Sequence, residues 1–189
     1  MQRSKDRDKN DAYFTPPETV KEFLAVQDVL TKGMSIWEPA CGNGNISKEL
    51  ICQGYVVHST DLNNFGFGLA GVDFLNTNMQ TDAIITNPPF TYAEEFITHA
   101  LTQAPIVIML LRLSFLEGQK RSRGLWRSHP PHRVMICGRR PSMYKQNHTG
   151  EKHGGFVAYA WYVWLKGSAE CKLQWIIDTG VHSPQYKLF

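Results

Sequence analysis

Few residues in this chain are of the kind that staple or anchor small proteins. There are four cysteines, Cys41, Cys52, Cys137 and Cys171, and no two stand in a C-x-x-C pair. That argues against a disulfide framework and a zinc cluster, and for a reducing, cytoplasmic setting. The histidines are scattered, and "HPPH" (His129 to His132) lies in a proline loop among basic residues. Phosphate or solvent is a simpler partner there than a metal, so no metal site is expected. Long apolar runs are missing as well. The longest, Ile106 to Leu111, is far too short to cross a bilayer, so no membrane partner is expected. The opening "MQRSKDRDKNDA" mixes charges of both signs and has no apolar centre, which excludes a signal peptide. Residues 1–11 read as a flexible leader and 12–189 as a single domain.

What remains is a 189-residue chain, 42% hydrophobic, without repeats or low-complexity tracts, and large enough for one real core. Its net charge of +3 hides an uneven distribution. Between Gln119 and Gly155 lie nine cations, Lys120, Arg121, Arg123, Arg127, Arg133, Arg139, Arg140, Lys145 and Lys152, against one acid, Glu151. The rest of the chain is slightly acidic. A basic block on an acidic body is the footprint of a polyanion-binding protein, with a solvated basic surface as the plainer alternative.

The order of elements is informative. In "YFTPPETVKEFLAVQDVLTKG", Thr15 is placed to cap a helix that begins with Pro16, Pro17 and Glu18, and Gly33 to end it. "MSIWEPACGNGNISKEL" reads strand, glycine turn, helix. "YVVHSTD" is a second strand, "VDFL" a short third, "DAIIT" a fourth and "APIVIMLLRL" a fifth, after a helix from Tyr92 to Ala104. "RVMICG" and "GFVAYAWYVWLKG" read as an antiparallel pair, the latter apolar on both faces and hence central. "KLQWII" adds an edge strand. This alternation implies α/β architecture, a doubly wound and mostly parallel sheet of about seven strands with an antiparallel carboxyl-terminal strand.

Two stretches carry chemistry. "EPACGNG" follows the first strand, where Gly42 and Gly44 allow a tight turn and close approach of backbone to a ligand. It lacks the third glycine of the dinucleotide fingerprint. Asp61, at the end of the second strand, is placed to accept from ribose hydroxyls. Asp73 and Phe74 are placed to hold an adenine by one hydrogen bond and one ring face. "NPPF", Asn87 to Phe90, interrupts the chain between a buried strand and a helix, and its prolines can serve neither element. Such a stiff loop lies where open α/β sheets place ligands. The exocyclic amino group of a nucleobase is a poor nucleophile because its lone pair is delocalised into the ring. Acceptors that bind both N–H bonds out of the ring plane restore the lone pair. Asn87 offers a side-chain carbonyl, Pro88 a backbone carbonyl made rigid by Pro89, and Phe90 a stacking face. An amide suits polarisation rather than strong-base chemistry, which suffices when the methyl donor is a sulfonium with a neutral leaving group.

With these pieces in order, the sequence resembles the S-adenosylmethionine-dependent DNA adenine-N6 methyltransferases, especially small phage-type members. "YFTPPE" is similar to their amino-terminal motif, which implies that Tyr13, Thr15 and Pro16 lie beside the cofactor. "EPACGNG" implies contacts from Glu38, Ala40, Gly42 and Gly44, while Asp61 matches the ribose acid and Asp73 with Phe74 the adenine pair. "NPPF" matches the catalytic motif: Asn87, Pro88, Pro89 and Phe90. The resemblance spans residues 12 to 165 in the γ order, cofactor motifs before the catalytic one, and implies a Rossmann-like methyltransferase fold. It also implies duplex DNA as partner, base flipping and a role in shielding a viral genome from host nucleases, as in restriction-modification. No separate target-recognition domain is expected, so recognition would fall to basic loops, with Lys120, Arg121, Arg123, Arg127, Arg139, Arg140 and Lys145 as candidate nucleic-acid contacts. A short or relaxed site is expected. Families that methylate adenine-N6 or guanine-N2 in RNA, or glutamine in proteins, carry the same signature. A non-catalytic nucleic-acid-binding relative is a further alternative.

Overall fold

Apolar, β-branched and aromatic runs between glycine and proline breaks build one sheet. The structure is a computed structural model that describes residues 13–144, 155–168 and 170–177. The expected leader and Lys145 lie outside the described residues. In chain order the elements are α1 (Pro17–Val26), β1 (Ser35–Glu38), α2 (Asn45–Cys52), β2 (Val56–Asp61), β3 (Leu69–Ala70), β4 (Ala83–Thr86), α3 (Ala93–Gln103), β5 (Ile106–Arg112), α4 (Gln119–Arg123), α5 (Leu125–Ser128), β6 (Arg133–Cys137), β7 (Tyr159–Leu165) and β8 (Lys172–Ile176). They form an eight-stranded sheet in the order β3-β2-β1-β4-β5-β7-β6-β8. Only β7 runs antiparallel to its neighbours, β5 and β6. The expected α/β sheet, mostly parallel with an antiparallel strand near the carboxyl end, is what the chain forms.

Side chains alternate along each strand, so the sheet carries two apolar layers. Ile85 joins the layer under α1 and α2, with Val20, Phe23, Ile46, Leu50 and Trp161. Ile84 joins the opposite layer under α3, with Trp37, Phe96, Ile97 and Met109. Phe23 stacks on Trp161 at 4.6 Å, and both are fully buried. Such a pair adds ~0.5–1.5 kcal/mol beyond its area burial. β7 is buried along both faces, as its apolar pattern requires, but it begins at Tyr159 and leaves Phe156 exposed.

Three local expectations give way to tertiary demands. The cap position of α1 is Pro16 rather than Thr15, and no side chain caps it. The Thr15 hydroxyl instead accepts from Asn87. The helix stops at Val26, because the Gln27 amide oxygen accepts from the N–H groups of Val29 and Leu30 and turns the chain. "VDFL" is not a strand. Asp73 caps a 3-10 turn over Phe74–Asn76, its carboxylate accepting from Leu75 N–H and the Asn76 amide, and the third strand is the two-residue β3. An aspartate so placed binds its own local backbone in preference to a ladder.

The functional consequence lies at β1. Its neighbours are β2 on one side and β4 on the other. The chain leaves this point in opposite directions, which opens a crevice beyond the carboxyl ends of the strands.

Candidate active site

A cavity of about 310 Å³ fills that crevice, at the small end of the range for ligand pockets. Among the residues singled out from the sequence, Tyr13, Thr15, Glu38, Ala40, Gly42, Asp61, Phe74, Asn87, Pro88, Pro89 and Phe90 line it. Pro16, Gly44 and Asp73 are not in its wall and support it from behind. Pro16 starts α1, Gly44 caps α2, and Asp73 holds the turn that presents Phe74.

The glycine turn is shaped by contact. Gly42 has φ +54, and a Cβ there would lie 2.9 Å from the Phe14 ring. At Gly44, φ is +80 and a Cβ would lie 2.3 Å from Phe67. No other residue type fits either conformation with those rings in place.

Two buried carboxyls face the turn. Asp61, at the end of β2, accepts from Gly42 N–H at 2.9 Å and from Asn63 N–H at 2.8 Å. Burial raises its pKa while these backbone N–H groups pull it down. Glu38, at the end of β1, is 1% exposed and accepts from the Ser47 hydroxyl. Burial dominates there and lifts its pKa from 4.5 to about 8, against the pull of Ser47.

The NPPF loop closes the cavity. Asn87 donates through Nδ2 to Tyr13 O at 3.0 Å and to Thr15 Oγ1 at 3.2 Å. With Nδ2 so held, its carbonyl Oδ1 is buried with no hydrogen-bond partner among the described residues. A buried acceptor left unmade costs ~1–3 kcal/mol, so it calls for an explanation. Pro89 then leads into a 3-10 turn, Phe90–Tyr92, and α3. The Phe90 ring lies 5.9 Å from Tyr13 and 6.1 Å from Tyr159.

Several wall residues escaped the sequence reading. Phe65, from the loop after β2, packs edge-on against Phe14 at 5.5 Å, and both line the cavity. Tyr144, outside the wall, forms a backbone bridge to Phe14. Its hydroxyl accepts from Asn45 Nδ2 at 2.7 Å and from Asn43 Nδ2 at 3.2 Å. These bonds join residues about a hundred positions apart, and no local pattern announces them.

The basic block is less free than its composition implies. Lys120 and Arg121 lie 3.4 and 3.6 Å from Glu94, Arg133 lies 2.9 Å from Asp28, and Arg139 lies 2.7 Å from Glu22. Arg121 is also folded back onto the carbonyl of Phe115. Arg123, Arg127 and Arg140 are exposed, and none takes part in an ion pair among the described residues. Among those residues no cluster of three metal-binding side chains occurs, and no helix is long and apolar enough to cross a membrane.

The sequence matches no protein-family model and no curated protein. Its fold does match solved structures. A protein described as an RNA methyltransferase from Pyrococcus horikoshii superposes with a TM-score of 0.58 at 18% identity, over 82% of this chain and 86% of that one. The methyltransferase subunit of a type I restriction-modification system from Streptococcus thermophilus gives 0.59 at 12% identity, over 83% of this chain and 45% of the subunit. This chain thus spans less than half the length of that subunit. Magnesium protoporphyrin IX methyltransferase from Synechocystis, solved with S-adenosylmethionine bound, gives 0.54 at 16% identity, over 80% and 79%. The chain has the fold these methyltransferases share.

Proposed function

We propose that the protein is an enzyme that transfers a methyl group from S-adenosylmethionine to the exocyclic N6 amino group of adenine in DNA. One observation carries this reading: the buried, unpartnered Oδ1 of Asn87 in the wall of the cavity that the glycine turn shapes. An orphaned acceptor beside an aromatic ring suits a planar base with an N–H to give. S-adenosylmethionine, when bound, supplies an activated methyl group on a positively charged sulfur. The chain's own groups supply the rest. Gly42 lets backbone approach the ligand, Asp61 accepts from a ribose, and Phe74 offers a ring face to an adenine moiety. Glu38 takes on negative charge opposite a cation. Asn87 Oδ1 and the Pro88 carbonyl accept the two N–H bonds of the target amine and hold its lone pair toward the methyl donor, while Phe90 stacks on the base. The N–C bond would form as the C–S bond breaks, a neutral thioether would leave with the electron pair, and the surplus N–H proton would pass to water. Both acceptors belong to the rigid NPPF loop, so once neighbouring groups have moved to admit the base they need no reorganisation at the transition state. The base must leave its duplex to reach them. Arg123, Arg127 and Arg140 are exposed cations able to meet phosphates, and with few side chains left to reach base edges a short or relaxed recognition site is expected.

A second reading is methylation of adenine-N6 or guanine-N2 in RNA. The likeness to the Pyrococcus protein, which covers most of both chains, supports it. One experiment separates the two. The protein is incubated with methyl-labelled S-adenosylmethionine and, in parallel, unmethylated duplex DNA, single-stranded DNA and structured RNA, and the labelled nucleoside is identified after digestion. N6-methyladenine from duplex DNA is the expected product. Label in RNA alone, or in guanine, would replace the first reading with the second. One strict site of six base pairs or more would contradict relaxed recognition.

A further inference from the structure

Extruding a base requires a ring to receive it and a counter-charge for the strand that carries it. Phe90 is the ring. Arg112, the last residue of β5, lies directly against it, with its guanidinium carbon 4.4 Å from the ring centre. Thr86 of β4 pairs with Met109 of β5, so Arg112 leaves the sheet alongside the NPPF loop. Its side chain is exposed, and no carboxylate pairs with it among the described residues. Lys120, Arg121, Arg133 and Arg139 each have an acid within reach. Arg112 is therefore the unpaired cation in contact with the proposed catalytic loop.

Resting on the adenine reading above, we propose that Arg112 is a substrate-binding residue that grips the backbone phosphate beside the extruded nucleotide, and that the face of Phe90 is its resting place in the free protein. A guanidinium and a nucleobase are both flat and both stack on aromatic rings. An exposed cation–π contact is the weaker of the two, so an arriving base displaces the guanidinium. Once released beside the NPPF loop, it meets a phosphate, whose oxygens match its forked donors. The exchange breaks no ion pair. It also fits the state of Asn87, whose Oδ1 is closed to solvent in this conformation, so that an amino group reaches it only when neighbouring groups move.

The test is a salt series of duplex-DNA affinity, read by fluorescence anisotropy with cofactor saturating. Wild type is compared with Arg112→Ala, Arg112→Met (which keeps the apolar stem) and Arg112→Lys, each checked by thermal unfolding. Losing one phosphate contact lowers the slope of log K against log salt by about 1. We expect that drop in the Ala and Met variants, recovery of the slope in the Lys variant, and unchanged cofactor affinity by calorimetry in all. A wild-type slope in a folded Met variant overturns the assignment, as does cofactor affinity that falls in step with DNA affinity. The two readings fail separately. If the wild type labels adenine yet Arg112→Met keeps its slope, the methyltransferase reading stands and Arg112 does not hold phosphate. If the wild type labels no nucleic acid yet the slope drops, the phosphate contact stands and the adenine reading falls.

Discussion

Removing Asn87 separates stability from activity in a way that can be worked out in advance. Asn87→Ala deletes two hydrogen bonds made by Nδ2, together worth about 1–3 kcal/mol. It also deletes a buried carbonyl that has no partner, which returns a similar ~1–3 kcal/mol. The terms nearly cancel, so the net change in folding free energy is about 1 kcal/mol or less in either direction. For a chain of this size that shifts Tm by roughly 2–4 °C at most. Activity follows a different rule. A pre-placed polar group aimed at a developing charge is worth ~10²–10³ in rate, and the variant is expected to lose at least that much in single-turnover methylation. Thermal unfolding and a rapid-quench assay on the same preparation give both numbers. A Tm drop of about 8 °C or more would mean that stranding Tyr13 O and Thr15 Oγ1 outweighs the relief of Oδ1. A rate within about threefold of wild type would remove Asn87 from the mechanism.

Two further outcomes follow from the site. Glu38, with its pKa lifted by burial from 4.5 to about 8, is neutral in the free protein below that pH. Its contribution to stability is complete below 4.5 and is lost as pH rises through 8. A cationic ligand favours the ionised form, so S-adenosylmethionine affinity should climb between about pH 6 and 8 and then level off, with proton release on binding. Glu38→Gln should flatten both the affinity profile and the stability profile, and calorimetry in buffers of different ionisation heat measures the proton. A flat wild-type profile would contradict this. Tyr144→Phe removes the acceptor that Asn45 and Asn43 share. It should cost about 1–2 kcal/mol and weaken cofactor binding with kcat at saturation largely kept, as a titration followed by steady-state kinetics would show.

The parts of the fold that were legible from sequence are those set by short-range chemistry. "AIIT" before two prolines had to end a buried strand at Asn87, and the double-faced apolar run to Leu165 had to be central. The glycine turn was legible because two positive-φ positions lie two residues apart. What was not legible depends on distant partners. Thr15 is a sound helix cap by type, but Asn87, 72 residues away, takes its hydroxyl. Asp73 and Phe74 read as a strand end because the pattern cannot say whether a carboxylate will bind its own turn. Nor does a count of arginines show that Arg133 and Arg139 are matched by Asp28 and Glu22, on segments more than a hundred residues earlier. Tyr144 carried no signal at all.

Tyr144 has a consequence for the order in which the molecule is made. The amide groups it receives belong to residues 99 and 101 positions earlier, and its backbone bridge reaches back to Phe14. Contacts of such sequence separation close late in folding. A nascent chain still on the ribosome, with its first four strands already synthesised, has the glycine turn but not the clasp that sets its asparagines. On the proposed reading, cofactor affinity is therefore expected to reach full strength only after translation has passed β6, and unfinished polypeptides to draw less from the cell's methyl-donor pool.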